Sequence, residues 1–133
     1  ETAMKKLANH LLAALLTLGF LPPAILKLVA VPEMVENFAR WGFPSWFMYV
    51  TGLLELTAAV LIVIPRTRAY GAALLVAVMV GAVGTHLSAG EAGQVVAPLV
   101  LGVLSTVALW MNRQTLTAAF AGRATSPAEV DAI

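Results

Sequence analysis

The sequence predicts an all-α membrane protein: a four-transmembrane-helix up-down bundle with a short amphipathic surface helix in the first outer loop. Three observations predict it. Hydrophobic residues make up 60% of the 133 residues and charged residues 11%, whereas a soluble domain carries roughly a quarter charged residues. Charges and prolines cluster so as to leave four apolar stretches, near 7–31, 46–64, 70–88 and 95–111, each adequate to cross a hydrocarbon core about 30 Å thick. The basic residues fall alternately in the flanks of those stretches. Lys5, Lys6, Arg66, Arg68, Arg113 and Arg123 share one side and Arg40 alone occupies the other. By the positive-inside rule both termini face the cytoplasm.

The elements follow in order. Glu1-Thr2-Ala3 read as residues ahead of a native start at Met4. Lys5-Lys6 before an apolar run could mark a signal peptide, but the run is too long for one. In the first span Pro22-Pro23 remove two backbone donors and predict a kink or local unwinding. Over 32–41, Met34, Val35, Phe38 and Trp41 share one helical face and Glu33, Glu36, Asn37 and Arg40 the other. This predicts an amphipathic helix on the outer membrane surface, begun by Pro32 and stopped by Gly42-Phe43-Pro44. The bundle forms one domain over 4–122, and 123–133 read as a disordered cytoplasmic tail. Trp41, Trp46, Tyr49, Tyr70 and Trp110 fall near span boundaries, as interfacial aromatics do.

Helices in lipid approach through small residues. The third span offers Ala69, Ala73, Ala77, Gly81 and Thr85, four apart, as a packing ridge. The second offers Gly52, Ala58 and Ala59, and the fourth Gly102, Ser105 and Thr106.

Three ionisable residues lie within spans: Lys27, Glu55 and His86. A charge at the bilayer centre costs at least about 2.5 kcal/mol, so such residues usually face the bundle interior. At 1.5 Å per residue, Glu55 lies about 13 Å below the outer face, and His86 within about 6 Å of it. Lys27 ends an outward-running helix, and its stem can reach down towards Glu55. The three converge on the outer half of the bundle. One reading is an outward-opening polar pocket with a charged floor. The other is a buried Lys27–Glu55 ion pair that only fixes helix register.

Several chemistries are excluded. A net charge of +1 with no basic run beyond Lys5-Lys6 gives no footing for nucleic acid. The absence of cysteine excludes disulfides, thiol nucleophiles and Fe–S ligation by this chain. His10 and His86 lie at opposite faces and cannot share a haem. The pocket offers Glu55 and His86 only, too few for a metal site. No phosphate loop or Ser/His/Asp arrangement is present.

Lys27-Leu28, Gly42-Phe43-Pro44, Gly52-Leu53-Leu54-Glu55-Leu56, Pro65-Arg66-Thr67, Gly71-Ala72, Met79, Gly81-Ala82 and His86-Leu87 occur in an order and spacing that resembles the DoxX-like family of small four-span bacterial membrane proteins. Pro22-Pro23 before Ala24 depart from the family's usual pattern. The resemblance implies a four-helix bundle in the cell membrane, and Lys27, Glu55 and His86 match the family's polar positions. It further implies association with redox enzymes, since one relative is the membrane subunit of a thiosulfate:quinone oxidoreductase. Two functions remain open. In one, the chain is a redox-associated subunit or binding module, with no covalently bound cofactor. Its pocket takes a quinone or other small lipophilic ligand through Lys27, Glu55 and His86, with Tyr49 and Trp41 beside them. In the other it is a non-enzymatic membrane partner or assembly protein, or forms a homo-oligomer, and its buried charges are structural. Any catalysis would belong to an oxidoreductase complex rather than to this chain alone.

Overall fold

The computed structural model describes residues 2–124, which form six helices: α1 (Thr2–Leu28), α2 (Pro32–Arg40), α3 (Ser45–Val63), α4 (Arg68–Ser88), α5 (Val96–Met111) and α6 (Arg113–Ala124). Short 3₁₀ turns over Pro65–Thr67 and Ala92–Val95 lead into α4 and α5. Four helical segments are long and apolar enough to cross a membrane, those of α1, α3, α4 and α5. The loops between them are too short for anything but antiparallel neighbours. α1 packs along α3, α3 along α4 and α4 along α5. The fourth side, α1 against α5, is the sparsest.

The burial pattern identifies the solvent. In α1, Ala13, Leu16, Phe20 and Ala24 recur at helical spacing and are buried, while Leu11, Leu15 and Leu18 of the same helix are 61, 52 and 72% exposed. An apolar exterior of this extent requires hydrocarbon around it. The interior is small and tight: Leu16, Phe20, Ile62 and Leu75 are fully buried, with Ala58, Ala72 and Ala108 where helices meet. At Gly71 an added Cβ would lie 2.7 Å from the carbonyl oxygen of Ala58, so only glycine permits this α3–α4 approach.

Three chain reversals at the α2 end use the same device. In the Schellman motif the two residues past the helix donate back to its last turn. After α1, Ala30 donates to Lys27 and Val31 to Leu26, with Ala30 at φ 54°. After α2, Gly42 (φ 83°) donates to Ala39 and Phe43 to Phe38, and the two Phe rings meet at 5.9 Å. After α4, Gly90 (φ 73°) donates to Leu87 and Glu91 to His86. At the opposite end Arg68 is 2% exposed, and its guanidinium donates to the carbonyls of Ile62 (2.7 Å) and Val63 (3.3 Å). The Thr67 hydroxyl covers those of Leu61 and Ile64. Together they satisfy four successive carbonyls, those of the last three residues of α3 and of Ile64, which caps it. Asn9 and Asn112 exchange amide hydrogen bonds at 2.8 and 2.9 Å, tying α1 to the end of α5.

The structure corrects several expectations. The first helix covers Thr2–Leu28 rather than 7–31, and it continues through Pro22-Pro23 without unwinding. Proline's fixed φ suits a helix, and Phe20 and Ala24, buried on either side of the pair, anchor both flanks. The surface helix forms where expected, but only Phe38 of its apolar face is buried, and Val35 is 44% exposed. α6 was not foreseen. It carries regular structure through residue 124, two residues into the expected tail, and 125–133 lie outside the described residues.

Candidate functional site

Lys27 lies one residue before the end of α1, where Ala30 accepts its left-handed conformation and donates to the Lys27 carbonyl. Its stem passes over Gly52 of α3: a Cβ on Gly52 would stand 2.9 Å from the Lys27 Cβ and 3.2 Å from the Ala24 carbonyl oxygen. Glu55 follows three residues after Gly52 and therefore shares its helix face. The ammonium donates to both oxygens of the Glu55 carboxylate, at 2.9 Å to Oε2 and 3.2 Å to Oε1. Both residues are buried, Lys27 at 9% exposure and Glu55 at 4%. A charge-assisted pair of this kind satisfies two groups that would each be costly alone.

The pair forms part of the wall of a cavity of about 990 Å³ in the α2 half of the bundle. α1 contributes Phe20 and Pro23, and α5 contributes Ala97, Pro98 and Leu101. α4 contributes a row of small residues, Ala77, Gly81 and Thr85. That row corrects the packing ridge read from the sequence: Ala69 is buried between helices, whereas Ala77 and Gly81 are exposed and an added Cβ at Gly81 would touch nothing. The close packing instead uses Gly71, Ala72, Leu75 and Met79. In α5, Ser105 is fully buried and Gly102 meets Met79, while Thr106 is exposed.

α2 lies at the cavity mouth and is tied across it through one carboxylate. Glu91 accepts from Arg40 Nη2 at 2.8 Å and Nε at 3.1 Å, from Trp41 Nε1 at 3.3 Å, and from His86 Nδ1 at 2.8 Å. A carboxylate only accepts, so Nδ1 carries the proton, and in the neutral ring Nε2 is left as an acceptor. The hydrogen bond from His86, then those from Arg40, hold the Glu91 carboxyl below the usual carboxylate range. Trp41 also meets His86 edge-on at 5.3 Å. Phe38, Trp41, Phe43 and Phe47 form a continuous aromatic group around the mouth.

Of the sequence-predicted site residues, Lys27, Glu55, His86 and Trp41 line this one cavity. Tyr49 is not among its lining residues and is 45% exposed on the outside of α3. His10 lies at the opposite end, 3.4 Å from the Arg68 guanidinium. Sequence reasoning missed Glu91, which is the hub of the mouth. Its signal was Gly90: a glycine that ends α4 turns the next residue back over the helix's last turn, where His86 stands.

These features define a multi-pass membrane protein with a mainly apolar internal cavity, a buried ion pair in its wall and a capping helix at its mouth. The chain belongs to the DoxX-like family, whose sequence pattern matches residues 11–108. It is similar to the uncharacterized protein YdgD of Bacillus subtilis (strain 168), with 36% identity over 76 residues, covering 54% of this chain and 67% of that one. No solved structure matches it.

Proposed function

We propose that the protein is a ligand-binding module of the bacterial cell membrane, with both termini cytoplasmic. Its cavity holds a quinone or a similar small lipophilic molecule for a partner oxidoreductase. The observation that carries this reading is the combination of a cavity of about 990 Å³ with a buried Lys27–Glu55 pair in its wall. Apolar walls with a few convergent polar groups are the usual build of a small-molecule site. The ammonium has three protons for the two oxygens of Glu55, so it can donate to a carbonyl oxygen as well. Glu55 retains lone pairs for a hydroxyl. His86 supplies an acceptor at Nε2 while its ring is neutral.

The test is extraction of the protein purified from native membrane, with chromatography of the lipophilic fraction. A quinone retained near one per chain by the wild type, and lost from Lys27→Met, supports the reading. Equal recovery from both overturns it.

The alternative is a partner or assembly protein in which the ion pair fixes α1 against α3. The fit of the Lys27 stem against Gly52 favours it. It predicts no retained ligand and a loss of partner association in the same variant.

A further inference from the structure

Two sides of the cavity are thinly packed, the mouth under α2 and the side between α1 and α5, and they differ in chemistry. At the mouth, α2 is bridged to the end of α4 by the hydrogen bonds on Glu91. Among the described residues, the seam between α1 and α5 has no such bridge in the α2 half. These two helices are held together in the half that contains the N-terminus by the Asn9–Asn112 amide exchange, and nearer the middle of the bundle by Leu101 against Gly19, where an added Cβ would lie 3.1 Å from Leu101 Cδ2. One turn further towards α2, Pro23 follows Gly19 on α1 and Ala97 precedes Leu101 on α5. Both line the cavity instead of closing it, and Ala97 is exposed. Pro98, buried, lines the cavity and also borders the groove between α4 and α5. Ala77 and Gly81 of α4, small and exposed, line the same cavity.

We propose that the seam between α1 and α5 is a lateral portal to the leaflet on the α2 side. The ligand is accordingly a molecule with a hydrogen-bonding head and an aliphatic tail. The head enters from the lipid and reaches Lys27 and Glu55; the tail stays in the seam, between Pro23 and Ala97. This rests on the ligand reading above and adds the class of ligand and its route. The side chains flanking the seam are apolar, so a tail meets there the environment it leaves in the bilayer. A polar solute coming from water would instead have to pass the charged groups bridging the mouth.

The test uses phospholipid nanodiscs and two probes: a benzoquinone with a long isoprenoid tail, and the same head with a methyl group in place of the tail. Ala97→Phe fills the seam, and Ala97→Leu is a milder second variant should the first fold poorly. Val96→Phe, on the lipid-facing side of the same turn and outside the cavity wall, is the control. Ala97→Phe should weaken retention of the tailed probe about tenfold, which is about 1.4 kcal/mol, leave the methyl probe unchanged, and Val96→Phe should affect neither. Retention of both probes unaltered by both Ala97 variants overturns the portal and leaves the ligand reading standing. Binding of neither probe to the wild type overturns the ligand reading and the portal with it.

Discussion

The ammonium of Lys27 and the carboxylate of Glu55, 28 residues apart in sequence, form a buried ion pair at 2.9 Å that joins α1 to α3. Gly52 makes the approach possible, and the four-span fold brings the two to a common depth.

The pair predicts a thermodynamic signature. Glu55→Gln and Lys27→Met should each destabilise the protein by about 3–5 kcal/mol, because each leaves a buried partner uncompensated. The double variant should lose less than the two single losses combined. Thermal unfolding in detergent of all four proteins is the measurement, and strict additivity would show the two groups to be independent.

Glu91 predicts a pH dependence of the cap. Its proton affinity is lowered in the folded protein by the hydrogen bonds from His86 and Arg40. The stabilisation it gives is therefore fully present above the ordinary glutamate value of about 4.3 and is lost as pH falls through the lower folded value. A spin label at Glu36, on the exposed face of α2, should report an ordered helix at neutral pH and greater mobility only under acid conditions. Glu91→Gln should show the mobile spectrum at neutral pH. A label equally ordered in both proteins would remove Glu91 from the role of tether.

Two glycines of α4 predict opposite responses to the same change. Gly71→Ala places a methyl 2.7 Å from the Ala58 carbonyl oxygen and forces α3 and α4 apart, with an expected cost of about 1–3 kcal/mol. Gly81→Ala meets open space and should be neutral or slightly stabilising, since alanine is favoured over glycine in a helix by up to about 1 kcal/mol. Melting temperatures of the two variants in one detergent decide it. Equal losses would mean that the α4 wall of the cavity is packed.

The basic residues predict the orientation. Reporter fusions after Gly90 and after Arg113 should be active on opposite sides of the membrane, with the Arg113 fusion active in the cytoplasm. Periplasmic activity of the Arg113 fusion would invert the topology.

The fold was legible because it follows from where charges and prolines interrupt apolar runs, and four helices are nearly the only way to satisfy such a backbone in lipid. Lys27 and Glu55 were legible for the same reason: a charge inside an apolar stretch stands out. Tyr49 misled because it shares a depth band with the site but not a direction. Six residues from Glu55 turn it about 120° away around α3. Ala77 and Gly81 misled because small side chains serve close packing and open space equally, and only the neighbouring helix decides which. Glu91 was hidden because a lone glutamate in a short loop carries no signal of its own. Its role depends on the reversal at Gly90 and on Arg40, 51 residues earlier.

The reciprocal amides of Asn9 and Asn112 set an order of biogenesis. Their separation is 103 residues, which translation at about 5–20 residues per second takes on the order of 5–20 s to traverse. During that interval Asn112 has yet to be made, so the Asn9 amide lacks its final partner. α3 and α4 can associate with α1 as they emerge, but the ring closes only when the last span arrives. The clasp is therefore the last contact of the bundle to form, and a chain truncated before α5 would leave the Asn9 amide without its Asn112 partner.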